Sequence, residues 1–70
     1  MEIAKQFGRN LSTARKEVGM TQMELAARAC MDQGGLSLME RGYRCPRLDQ
    51  MVKLAEGVGV QVRDLLYGIK

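Results

Sequence analysis

"GMTQMELAARACMDQGGLSLMERG", Gly19 to Gly42, decides how this chain folds. Thr21 followed by Glu24 is a capping box: the threonine oxygen accepts from the amide of residue 24, and the glutamate reaches back to the amide of Thr21. Met20 and Leu25 stand at the positions that pack together across such a start. A helix is predicted from about Gln22 to Ala29, with Leu25, Ala26 and Ala29 turned inward. Asp32 is an N-cap for a second helix, from about Gln33 to Arg41, with Leu36 and Met39 inward and Gly42 closing it. Only Cys30 to Asp32 separate the two helices, so they meet across a tight joint. Gly34 and Gly35 are the discordant residues, because glycine is a poor helix former. Their place in the first turn softens the penalty, since amides there have no intrahelical partner.

Outward from this pair the pattern stays helical. Ile3, Phe7, Leu11, Ala14 and Val18 recur at steps of four and three, one face of a helix that Gly19 ends. Pro46 forbids continuation of the central pair and sets up a helix from about Leu48 to Glu56. Its apolar face is Leu48, Met51, Val52 and Ala55. "GVGV" is expected to break that helix, and "VRDLLYG" supplies a short fifth with Leu65 and Leu66 buried. Neither a repeat nor a linker interrupts the chain. The expectation is all-α: a compact bundle of about five short helices, one domain over residues 1–70, with a helix-turn-helix at about 21–41.

Seventy residues lie near the lower size at which one core is stable alone. Aromatic residues are only 4%, so Leu, Val, Ile, Ala and the six methionines must build that core. The net charge of +3 is unevenly spread, for residues 41–47 hold Arg41, Arg44 and Arg47 with no acid. Clustered arginine suggests a polyanionic partner, although a solvated surface loop has the same composition. Cys30 and Cys45 make neither a disulfide framework nor a zinc site, and with no histidine present no metal or other cofactor is expected. Free thiols are the expectation for a cytoplasmic protein. No apolar run approaches membrane-spanning length, and Met1 leads into an amphipathic helix rather than a signal peptide. Without a histidine, a glycine-rich phosphate loop or a group to activate either thiol, an enzyme is not expected.

"LSTARKEVGMTQMELA", then "ERG", then "P" and "VKLAEGVGVQVRDLL" resemble the Cro and lambda-repressor type of helix-turn-helix family. These residues keep the family's order and spacing from about Phe7 to Leu66. The resemblance implies that Arg15 and Glu40 form an inward-facing ion pair, tying the first helix to the end of the third. It implies that Gln22, at the start of the second helix, holds a phosphate. The third helix matches the recognition helix that enters the major groove, with Gln33, Gly34, Ser37 and Leu38 at the base-reading positions. Gln33 can bond an adenine in two places, Ser37 a base or phosphate, and Leu38 can touch a thymine methyl. Arg41, Tyr43, Arg44 and Arg47 match the segment that contacts phosphates, with Gly35 joining them through its backbone. Arg9 and Asn10 are secondary backbone candidates. Arg47 replaces the serine or threonine that usually caps the fourth helix, a cap worth ~1 kcal/mol. Cys30 stands where the family commonly has glycine.

Relatives usually carry polar side chains where this chain has Gly34 and Gly35, and three explanations stay open. The glycines let bare amides approach a phosphate closely. Alternatively, they leave the turn irregular until DNA orders it. In the third, base reading is reduced and the face serves backbone contacts or another protein.

The resemblance implies a sequence-specific transcriptional regulator, a repressor or controller acting as a homodimer on double-stranded DNA with two-fold related half-sites. Small proteins of this kind include phage and plasmid repressors and controllers of restriction–modification systems. Dimer-interface candidates are Val60, Val62, Leu66, Tyr67 and Ile69, and no small-molecule effector is evident. The alternative is a protein-interaction module on the same scaffold, antitoxin-like or an anti-repressor partner, with weak and non-specific DNA binding.

Overall fold

The computed structural model describes residues 2–69. Among the described residues there are five helices and no strand: α1 (Glu2–Glu17), α2 (Gln22–Arg28), α3 (Gln33–Glu40), α4 (Leu48–Val58) and α5 (Val62–Leu65). The all-α bundle is therefore the one the periodicity predicts. Both expected caps form. Glu24 N–H donates to Thr21 Oγ1 at 3.1 Å and Thr21 N–H to Glu24 Oε1 at 2.8 Å, while Gly35 N–H donates to Asp32 Oδ2 at 2.9 Å.

The ends of α1, α2 and α3 share one turn. The left-handed residue and its successor return their amides to the last helical carbonyls: Gly19 and Met20 after α1, Cys30 and Met31 after α2, Gly42 and Tyr43 after α3. Cys30 is the odd member, with φ 57° and a side chain in a region that favours glycine. A Cβ there costs ~1 kcal/mol or a little more.

α1 packs on α3 and α5, α2 on α3 and α4, and α4 on α5. Phe7, Leu11, Leu25, Ala26, Ala29, Leu36, Met39, Leu54, Ala55, Val58 and Leu65 form the shared core. The α1–α3 crossing depends on Gly8. A Cβ built there would collide with the Met39 carbonyl and stand 2.6 Å from the Glu40 carbonyl oxygen, so the two backbones touch.

Several expected core positions are corrected. Ile3 and Val18 are exposed, because they lie in the first turn and at the cap of α1, beyond the helices that cover its middle. α4 does end within "GVGV", where Gly59 caps it in the left-handed conformation, but it runs to Val58 rather than stopping at about Glu56. Gly57 stays helical because it lets α2 come close: a Cβ there would lie 3.0 Å from Leu25 Cδ1, and Arg28 Nη1 donates to the Gly57 carbonyl at 3.2 Å. The longer helix buries Leu54, Ala55 and Val58 with Met51 at the edge, leaving Leu48 71% and Val52 40% exposed. Leu66 also faces outward, since α5 ends at Leu65 and turns its single buried leucine to the core.

Candidate nucleic-acid interface

A hub where three helices meet sets the pose of α3. Arg15 donates from Nε to Glu40 Oε2 at 2.7 Å and from Nη2 to Oε1 at 3.0 Å, with a further bond from Nη1 to the Met20 carbonyl at 2.7 Å. Gln22 Nε2 adds a bond to Glu40 Oε1 at 2.9 Å. The ion-pair side chains are only 11% and 6% exposed, and the fork-to-carboxylate match makes such bonds strong. Hydrogen bonding to Glu40 raises the Arg15 pKa above its ordinary value, against the desolvation that works to lower it. One carboxylate at the end of α3 thus holds α1 and the start of α2, while Arg15 also bonds the turn between them.

The opposite end of α3 is bare. Gln33 and Gly34 are exposed, and Ser37 and Leu38 are half-buried. Gly35 is buried although it has no side chain, and its amide is already engaged by Asp32. The Gln22 side chain, expected at a phosphate, gives one N–H to Glu40 and keeps the other for an outside acceptor.

Beyond α3 the arginine loop runs along the surface. The Arg41 guanidinium lies over the Tyr43 ring at 5.4 Å from its centroid, a cation–π contact between exposed groups. Arg44 is exposed, and among the described residues it makes neither a hydrogen bond nor an ion pair. Arg47 Nε donates to Asp49 Oδ1 at 3.3 Å, which holds the Asp49 carboxyl below the usual aspartate range. Gln50 Oε1 accepts from Arg47 N–H at 3.0 Å. A guanidinium cannot accept in return, so α4 starts with half a capping box.

Asn10 is not free for a phosphate. Its amide donates to the Leu65 carbonyl at 2.9 Å and the Tyr67 carbonyl at 2.8 Å, and its oxygen accepts from Gln6 Nε2 at 2.9 Å. It closes the end of α5 onto α1. Arg9 is exposed. Of the interface candidates, Leu66 and Tyr67 are exposed, whereas Val60, Val62 and Ile69 lie half-buried against the core. A shallow cleft between α1 and the C-terminal segment is lined by Thr13, Glu17, Val60, Asp64 and Tyr67. Among the described residues no group of three or more His, Cys, Asp or Glu could hold a metal ion. None of their helices is long and apolar enough to cross a membrane.

Sequence reasoning missed Gly8 and the turn of Gln22 toward Glu40. For Gly8 a signal existed: a glycine within an otherwise regular amphipathic helix marks a close backbone approach. For Gln22 there was none, because the length and charge of a glutamine do not say which neighbour it reaches.

A short helix pair braced from behind by a buried ion pair, with the face of its second helix uncovered, defines a helix-turn-helix domain. The chain belongs to the helix-turn-helix family, whose pattern matches residues 11–65, and within it to the Cro and lambda-repressor type. These proteins are DNA-binding transcription regulators, not enzymes. The chain is 38% identical over 66 residues to the uncharacterized HTH-type transcriptional regulator y4dJ of Sinorhizobium fredii (strain NBRC 101917 / NGR234), covering 94% of this chain and 86% of that one. It is 37% identical over 60 residues to the HTH-type transcriptional regulator ImmR of Bacillus subtilis (strain 168), covering 86% of this chain but 47% of ImmR. Its fold superposes with a TM-score of 0.90 on the restriction-modification controller protein C.AhdI from Aeromonas hydrophila, at 29% identity, over 93% of this chain and 98% of that one. The clp gene regulator ClgR from C. glutamicum matches with a TM-score of 0.87 at 28% identity, over 91% and 83% of the two chains.

Proposed function

We propose that residues 1–70 act as one sequence-specific DNA-binding domain, a cytoplasmic repressor or controller that works as a homodimer with α3 in the major groove. The observation that carries this reading is the asymmetry of α3. Its C-terminal end is fixed by the Arg15–Glu40 hub, while Gln33 and Gly34 at its N-terminal end are exposed and Arg44 in the loop beyond has no partner among the described residues. Gln33 and Ser37 read base edges, Leu38 meets a thymine methyl, and Gly34 brings the backbone close to the duplex. Arg41, Tyr43, Arg44 and Arg47, with Gln22, hold phosphates. Gly35, whose amide serves the cap, belongs to this set through the room it leaves. A single domain of this size buries too little surface for tight specific binding. Two copies meeting through Leu66 and Tyr67, with Val60, Val62 and Ile69 behind them, would read half-sites ~34 Å apart. Likeness to the restriction-modification controller protein C.AhdI supports the controller role, and likeness to the transcriptional regulator ImmR supports the regulatory one.

The test is binding to duplexes enriched by the protein from a random-sequence pool, against scrambled duplexes of equal length, over a salt series. The enriched DNA should win by ~10³ or more. Gln33→Ala should narrow that ratio, and Arg44→Ala should lower the salt slope by ~1 with little change of preference. Equal and weak binding to both duplexes would overturn the reading. It would point instead to a protein partner for the face made by Gly34, Gly35 and Leu38.

A further inference from the structure

Of the first three residues of α3 only Gly35 is buried, and the groups nearest to it are the Arg44 guanidinium and the capping carboxylate of Asp32. A Cβ built on it would stand 3.0 Å from Arg44 Nη1, 3.3 Å from Asp32 Oδ1 and 3.6 Å from Asp32 Oδ2. The guanidinium therefore lies close beside the position a side chain would take, near enough that a Cβ would push it away by a few tenths of an ångström. Gly34 differs: a Cβ there would meet only Asp32 Oδ2, at 3.2 Å. The two glycines are not equivalent.

We propose that Gly35 is a positioning residue for Arg44: its missing side chain seats the guanidinium against the first turn of α3, on the reading face. This rests on the DNA-binding reading above and names which glycine serves it and through what. Among the described residues Arg44 forms no hydrogen bond or ion pair that would hold it there, so the shape of the α3 backbone, with the Asp32 carboxylate nearby, does that work. An arginine on a loop otherwise samples many rotamers, and immobilising such a side chain on binding costs about 0.5–1.5 kcal/mol. Seating it in the free protein reduces that cost and aims the charge at the same stretch of DNA that Gln33 reads. Both atoms nearest to the imagined Cβ are ends of flexible side chains. Gly35→Ala should therefore fold, with Arg44 displaced rather than α3 disrupted.

The experiment is a double-mutant cycle of Gly35→Ala and Arg44→Ala, read as affinity for the enriched duplex, with Gly34→Ala as control. Gly35→Ala should weaken binding ~10-fold in the wild-type background and less than ~2-fold when Arg44 is already alanine. Gly34→Ala should cost the same in both backgrounds. If the Gly35→Ala loss persists without Arg44, the glycine serves close approach of the backbone to DNA, and the assignment falls. If wild type shows no preference for any duplex, the DNA-binding reading itself fails, which is a separate result. A second readout needs no DNA: Gly35→Ala should move the Arg44 Nε–Hε resonance, and Gly34→Ala should not. Should Gly35→Ala fail to fold, Arg44→Ala must shift the Gly35 amide resonance more than that of Gly34. Equal shifts would overturn the coupling.

Discussion

Arg15 lies 11% exposed between Glu40 and the Met20 carbonyl, whereas Arg44 stands in solvent beside Gly35 with no partner among the described residues. Two side chains of one type thus meet opposite fates on either side of α3. A guanidinium taken out of water must have its donors satisfied, and satisfying them fixes the geometry of whatever carries the acceptors. A guanidinium left in water contributes little to folding and keeps its donors for another molecule. The buried arginine decides where α3 points. The exposed one is available to what α3 meets.

Removing each arginine tests that contrast. Arg15→Ala leaves the Glu40 carboxylate with Gln22 alone, and should cost about 3–5 kcal/mol. In a domain this small that is much of the total stability, so thermal denaturation should show a large fall or loss of the transition. Arg44→Ala should change stability by no more than about 0.5 kcal/mol. Comparable losses in the two variants would mean that the loop arginine is structural, and would break the comparison.

A smaller effect sharpens it at the joint between α2 and α3. Cys30 holds a left-handed conformation in a turn that Gly19 and Gly42 make without strain. Cys30→Gly should raise the urea midpoint by the equivalent of ~0.5 kcal/mol, since relief of the Cβ outweighs the glycine's added freedom in the unfolded chain. An unchanged or lower midpoint would show that the turn tolerates its cysteine. The DNA affinity should hardly move, because the hub and not the turn sets the angle of α3.

The smallest effect concerns acid. Glu24 lies below the usual glutamate range because the Thr21 backbone N–H, and then the Thr21 side chain, hydrogen-bond to it. A carboxylate with a depressed folded-state pKa contributes stability above its unfolded value, 4.5, and loses it as pH falls through the lowered one. Glu24→Gln should therefore lower stability slightly at neutral pH, leave it nearly unchanged in acid, and so flatten the acid limb of the profile. A steep acid limb that survives the substitution would place the responsible carboxylate elsewhere.

Local chemistry was legible where short-range geometry is decisive. The capping box at Thr21 and Glu24, the cap at Asp32 and the closing glycines Gly19 and Gly42 require nothing beyond three or four neighbouring residues. The Arg15–Glu40 pair became visible only through the family pattern, since no periodicity links residues so far apart. Asn10 shows the limit from the other side. An exposed-looking polar residue on α1 suggested a phosphate contact, yet its amide binds the Leu65 and Tyr67 carbonyls at the far end of the chain. The α4 face was misjudged because Leu48, Met51, Val52 and Ala55 satisfy helical spacing as well as the buried set does. Only packing against α2 through Gly57 selects the face with Leu54 and Val58.

The residues by themselves determined five helices, their starts and most of their stops, because capping and left-handed turns are settled within one turn of chain. They also marked the arginine loop, because charge density needs no fold to be counted. Tertiary structure decided which apolar residues are core, which polar groups are already satisfied, and that Gly8, Gly35 and Gly57 are there for what another segment brings close. A glycine in a sequence records that a side chain is absent; the neighbour that fills its place is known only when the chain has closed on itself.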